Sequence, residues 1–213
     1  MLDGLQLLYA SKKGDIKNRL AEFRQLWLDA DDKKIFAELA FCLCTPQSRA
    51  TAADIAIRRA IDSNHLYDGK PEEIAQHLTK SGVRFANNKA RYIHEARQYF
   101  SRNGELKIKS KLNLDDLLGL RAWLCENVKG LGMKESSHFL RNIGFGDNLA
   151  ILDRHILKNL KKYGVIPAIP PVLGRPAYLE IEERLRKFSQ KVRIPLAEID
   201  LLFWSEETGQ IFK

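Results

Sequence analysis

Gly130-Leu131-Gly132 sets two glycines around a single apolar residue, with helical spacing on either side. A chain that passes between helices through so short a link must reverse on backbone angles that only glycine reaches cheaply. The two helices then form a hairpin, and the rest of the chain has to pack around it. The first amides of the second helix have no intrahelical acceptor, so they offer a seat for a phosphate oxygen. Gly130, Gly132, Lys129 and the hydroxyl of Ser136, with Ser137 beside it, are the candidate phosphate contacts. Lys134 stands two residues past Gly132, and Asp153 nineteen residues beyond Lys134.

The rest of the chain has the same helical character. Ile16, Leu20, Phe23, Leu26 and Trp27 recur at three and four residues, an amphipathic stripe. Asp31-Asp32 opens a second helix with acidic residues at the positive end of its dipole. Its broad apolar face, Ile35 to Leu43, marks central core, and it stops near Thr45-Pro46 because the residue before proline avoids helical angles. Further helices are expected from Ser48 or Arg49, from Pro71 to about Ser81, from Asn88 or Lys89 to Phe100, and, capped by Asn113-Leu-Asp-Asp116, through Leu117 to Leu124. Asn103-Gly104 is a turn, and 166–176, with four of the seven prolines, is the one clear loop. Helices follow over about 154–163, 177–191 and 195–204, and no alternating strand stands out. The pattern predicts an all-α fold of two helical lobes, with the hairpin at the cleft between them. About 35–150, with the hairpin at 128–134, would form the central lobe, and 1–34 plus 151–213 the second.

Among 213 residues the formal net charge is +8, which favours a polyanionic partner. Three cysteines, Cys42, Cys44 and Cys125, are too few for a four-cysteine cluster, form no C-x-x-C pair, and suit a reducing compartment. The longest apolar stretch is short and interrupted by Glu38, and no secretory leader is recognisable. A soluble intracellular protein, acting as a monomer on the chromosome, is expected.

Lys134, read alone, is a phosphate contact or a solvated side chain. Paired with a carboxylate it acquires a second reading. A lysine amine that sheds its proton, helped by desolvation and nearby positive potential, attacks carbon and leaves an imine. Asp153 ends the apolar run Ala150-Ile-Leu and caps the helix from Arg154. It can also take the amine's proton and stabilise positive charge developing on a sugar. His155 reads as packing or a phosphate contact.

Gly130-Leu-Gly-Met-Lys134 and Ile151-Leu-Asp153-Arg-His155 resemble the helix–hairpin–helix superfamily of DNA glycosylases. Leu39-Ala-Phe-Cys-Leu-Cys-Thr-Pro-Gln-Ser48, Arg84-Phe-Ala-Asn-Asn-Lys-Ala-Arg-Tyr-Ile93, His138-Phe-Leu-Arg-Asn-Ile-Gly144 and the segment Asp200 to Lys213 resemble its archaeal and thermophile 8-oxoguanine DNA glycosylase/lyase type. That resemblance implies an all-helical enzyme that excises 8-oxoguanine from duplex DNA and nicks the strand by β-elimination, with no metal or redox cofactor. It implies Lys134 and Asp153 as the catalytic pair, and stacking of the extruded base on Phe85 and Trp204. Asp200 lies one helical turn before Trp204. Lys213 is implied to help tell 8-oxoguanine from guanine, and Gln47 to fill the gap left by the flipped base or touch its edge. The iron–sulfur branches carry four cysteines near the C-terminus, and this chain has none there. The competing readings are a non-catalytic DNA-binding hairpin module and a glycosylase for another oxidised base.

Overall fold

The structure, a computed structural model, describes residues 2–212. Lys213 lies outside the described residues. The fold is all-α. In chain order the helices are α1 (Leu2–Asp29), α2 (Asp32–Cys44), α3 (Ala50–Asp62), α4 (His65–Asp68), α5 (Pro71–Lys80), α6 (Ala86–Phe100), α7 (Leu117–Asn127), α8 (Met133–Asn142), α9 (Arg154–Lys162), α10 (Arg175–Val192) and α11 (Leu196–Thr208). A 3-10 turn, Lys109–Lys111, precedes α7. No helix among the described residues is long and apolar enough to cross a membrane.

Two strands of two residues each, β1 (Ser101–Arg102) and β2 (Glu105–Leu106), pair antiparallel across Asn103-Gly104. Both turn residues have positive φ, +53° and +80°, as a tight hairpin turn demands. Strands this short leave no alternation in the sequence. α4 is equally invisible to periodicity, being one turn long and entered through Asn64 at φ +61°. α1 begins fourteen residues before the stripe at Ile16. Leu5 and Tyr9 lie on its buried face, but the polar run Ser11 to Asp15 interrupts the pattern.

The chain divides into two compact units, Trp27–Phe139 and Met1–Leu26 with Leu140–Lys213. In the first, α2 packs on α3 and α6, and α5 packs on α3 and α6. Leu39 through Cys44 are all buried, so this end of α2 has no solvent face. Asp31 caps α2 by accepting the Lys34 N–H at 2.9 Å. Ile57, Ile74, Leu78, Ile93 and Phe100 close the core around it.

In the second unit α11 packs on α9 and α10. Tyr163 and Phe203 stack with parallel rings 5.4 Å apart. The Tyr9 hydroxyl donates to Glu198 Oε2 at 2.7 Å, which ties α1 to α11, and burial together with this bond holds the phenol protonated far above its ordinary value.

Candidate active site

The hairpin runs from α7 through residues 128–132 into α8. Asp116 caps α7 through the Gly119 N–H at 2.9 Å. Val128 donates back to Leu124 O, and Leu131 N donates to Val128 O at 3.1 Å, which closes the turn. Gly130 takes φ +96°, and a Cβ there would meet the Tyr92 ring at 2.5 Å and Leu43 Cδ2 at 3.1 Å. Both the angle and the space demand glycine. Gly130→Ala is expected to cost about 1–3 kcal/mol, read as a melting temperature lowered by several degrees.

Glu135 reaches back over the turn. Its Oε2 accepts the Gly132 N–H at 3.2 Å, and its Oε1 lies 3.2 Å from Lys134 Nζ. The carboxylate therefore covers one of the amides offered to phosphate while pairing with the lysine beside it. Lys134, with a side chain 22% exposed, also donates from Nζ to Thr45 Oγ1 at 3.1 Å. Lys129 is exposed and its Nζ sits 3.7 Å from Glu95 Oε2.

Ser136 must be reassigned. It is fully buried, its N–H donates to Gly132 O at 2.9 Å, and its hydroxyl lies 3.3 Å from Cys125 Sγ. Neither group can reach a phosphate. Ser137 is equally buried and accepts from Arg121 Nη1 at 3.2 Å. The signal was available: Ser136 precedes Phe139 and Leu140 by three and four residues, which puts it on the buried face of α8.

Four non-glycine residues in this unit hold left-handed backbone and face solvent; Asn64 and Asn103 are of the type that tolerates it, whereas Gln47 and Phe85 are not. Gln47 has φ +54° in the turn Thr45-Pro46-Gln47-Ser48, closed by Ser48 N donating to Thr45 O at 3.0 Å. Proline second and a positive φ third is the pattern of a type II turn, where glycine is the ordinary third residue. Phe85 has φ +58°, is 53% exposed, and sits just ahead of α6 with the Arg84 guanidinium 5.4 Å from its ring centre. α6 starts at Ala86, ahead of the expected Asn88 or Lys89. Such strain costs on the order of 1–3 kcal/mol each and collects at functional positions. The two loops are stapled, since Ser48 Oγ accepts the Arg84 N–H at 2.9 Å.

Asp153 belongs to the other unit and caps α9. Its Oδ1 accepts from both His155 N and Ile156 N at 2.8 Å, which leaves Oδ2 outside the cap. The extended run before it is anchored on α10. The Tyr178 hydroxyl donates to Ala150 O at 2.6 Å and accepts the Leu152 N–H at 3.2 Å. Glu182, one turn along, accepts the Ala150 N–H at 2.7 Å. His155 Nδ1 is 3.9 Å from Glu207.

Asp200 is 7% exposed, and its Oδ2 pairs with Arg141 Nη1 at 2.6 Å. Arg141 also lies 5.2 Å from the Phe23 ring centre. Trp204 is partly exposed, with the Phe212 ring 6.2 Å away and tilted by 29°. Arg141 and Phe212 carry no mark in the sequence, because the first is 59 residues from its partner and the second follows the last helix. Among the described residues, no three His, Cys, Asp or Glu side chains are grouped so that they could hold a metal ion.

The model of the 8-oxoguanine DNA glycosylase family matches residues 16–194. The chain is 44% identical over 210 residues to the 8-oxoguanine DNA glycosylase/AP lyase of Fusobacterium nucleatum, covering 98% of this chain and 96% of that one. It belongs to the 8-oxoguanine DNA glycosylase family. The crystal structure of the 8-oxoguanine DNA glycosylase of Thermotoga maritima superposes with a TM-score of 0.87 at 31% identity, over 100% of this chain and 98% of that one. The 8-oxoguanine glycosylase/lyase of Methanocaldococcus jannaschii, solved with a 15-mer DNA containing 8-oxoguanine, gives 0.89 at 34% identity, over 100% and 99%. Lys89, in α6 of this glycosylase-family chain, is buried. In the sequence it looks like any polar residue of an amphipathic helix.

Proposed function

We propose that this chain is a bifunctional DNA repair enzyme that excises 8-oxoguanine from duplex DNA and then cleaves the strand. The full-length likeness to relatives named glycosylase/AP lyase supports this reading. So does a structural neighbour solved with DNA containing 8-oxoguanine. The single observation that carries the chemistry is Lys134, a primary amine in the first turn after the glycine hairpin, held by a hydroxyl acceptor.

The steps follow from the groups involved. The protein binds duplex DNA as a monomer through the hairpin amides and Lys129, and the damaged nucleotide turns out of the stack. Phe85 and Trp204 supply aromatic faces for stacking, with Asp200 and Lys213 reading the base edge and Gln47 taking up the vacated space. Lys134 Nζ attacks C1′ of the deoxyribose, the C1′–N bond breaks, and the base departs with the electron pair. Asp153 takes the proton from the amine and steadies the positive charge on the sugar. The C1′–O4′ bond of this adduct then opens, O4′ takes up the proton held by Asp153, and the nitrogen lone pair forms the imine, which acidifies C2′. Loss of a C2′ proton expels the 3′ phosphate, and water then releases the lysine. The imine itself is the electron sink, so these steps call on no metal or redox cofactor.

The test is incubation with duplexes that carry 8-oxoguanine, an oxidised pyrimidine or no lesion, read for free base and cut strand together. Both products are expected from 8-oxoguanine first. Binding with neither product would favour a non-catalytic hairpin module, and preference for the pyrimidine would move the substrate. Deletion of Lys213 is expected to narrow the ratio of 8-oxoguanine to guanine release by about 10-fold or more, the effect of leaving a base-reading group absent. An unchanged ratio removes Lys213 from recognition.

A further inference from the structure

Lys89 lies in α6 and is 4% exposed. A buried ammonium survives only if its three N–H groups find acceptors. They go to Cys44 O at 2.8 Å, Pro46 O at 2.7 Å and Ser48 Oγ at 3.1 Å. All three acceptors belong to the end of α2 and the turn after it, the segment that carries Thr45. Two of them are main-chain carbonyls where α2 has run out of its own donors. The ammonium thus replaces the missing helix donors and fixes the turn from inside.

Thr45 is the link to the hairpin. Its hydroxyl donates to Cys42 O at 2.9 Å, so its one proton is committed, and towards Lys134 it can only accept. The bond from Lys134 Nζ at 3.1 Å therefore takes up one N–H of that amine and fixes where the others, or the lone pair, point. We propose that Lys89 is a positioning residue for Lys134, acting through the Thr45-Pro46-Gln47-Ser48 turn so that Thr45 aims the attacking nitrogen. The inference rests on Lys134 being the nucleophile.

Burial works against the charged form of Lys89, so the three acceptors are what hold the cation. Burial first, and then the charges of Lys134 and Arg84, lower the Lys89 value from that of an ordinary lysine, against an opposing Glu135. The Cys44 thiol is pushed up to about 12 by burial, so it carries no charge near neutrality. Replacing Lys89 by an apolar side chain of similar length leaves Cys44 O and Pro46 O without this donor, which costs stability. The lysine therefore serves stability and also fixes the place of the turn, and a rate measurement separates the two.

Lys89→Met, Lys89→Arg, Thr45→Val and the Lys89→Met/Thr45→Val pair test this, with single-turnover 8-oxoguanine release and borohydride trapping measured at saturating lesion duplex. Misplacing a reacting group by about 1 Å costs on the order of 100-fold. Lys89→Met and Thr45→Val should each slow both readouts by about 10- to 100-fold, with duplex affinity changed less than about 3-fold. The double variant should be no slower than the slower single one, because both changes break the same path. Lys89→Arg, which can still donate to the carbonyls, should recover part of the rate. Thr45→Val leaves Cys42 O its bond from Thr45 N at 3.2 Å, so it remains informative if Lys89→Met does not fold. Unchanged rates in Thr45→Val, or fully multiplicative losses in the double variant, overturn the inference. Mapping the trapped adduct separates the two readings: an adduct away from Lys134 defeats the nucleophile assignment, and an adduct on Lys134 with indifferent rates defeats only the role of Lys89.

Discussion

Lys134→Gln is expected to abolish base release and strand cleavage together. Loss of a covalent nucleophile removes the step itself, so the fall should be on the order of 10⁴-fold or more. The glutamine amide can still donate a hydrogen bond where Lys134 Nζ met Thr45 Oγ1, and Glu135 keeps its bond to Gly132 N, so the hairpin need not move. Binding of lesion duplex should therefore stay within a few-fold of the parent, apart from the loss of one positive charge. Free 8-oxoguanine by chromatography and strand breaks on a denaturing gel check both halves. Base release that persists while nicking is lost would mean that water, not Lys134, displaces the base.

Asp153→Asn is expected to slow single-turnover excision by about 10²–10⁴-fold, the range for loss of a proton acceptor in the transition state. Asparagine is as good a helix cap as aspartate. The carbonyl oxygen can still accept from His155 N and Ile156 N, and the preceding run keeps its anchors on Tyr178 and Glu182. The melting temperature should thus hardly change. Asp153→Ala removes both functions, and should add about 1 kcal/mol of lost cap to the same catalytic defect. A normal rate in the asparagine variant would reduce Asp153 to a cap.

These separations are possible because the structure shows what each side chain holds, which the sequence does so unevenly. The glycine hairpin is legible because its angles and its close approach to Tyr92 admit no other residue. The cap at Asp153 is legible because capping is local, two and three residues away. The helices are legible where apolar residues recur without a break, as in α2 and α6, and not across the polar run inside α1. What depends on chain-distant partners is hidden. Lys89 meets the end of α2 from more than forty residues away, and Arg141 meets Asp200 across 59. The limits of the two units fall inside α1 and α8, where continuous helix leaves no change of composition to mark them. The strained backbone of Gln47 and Phe85 is hidden for a different reason: neither residue favours positive φ, and the surrounding contacts impose it. Ser136 is the opposite case, where the residue type suggests phosphate and the helical phase excludes it.

The central claim is that one amine, that of Lys134, forms a covalent bond with the sugar of the damaged nucleotide. Borohydride reduction during turnover on 8-oxoguanine duplex, followed by digestion and mass spectrometry of the cross-linked peptide, addresses it directly. The account predicts a reduced sugar adduct on Lys134. An adduct confined to Lys129 or any other lysine, or full excision with no adduct at all, would contradict it.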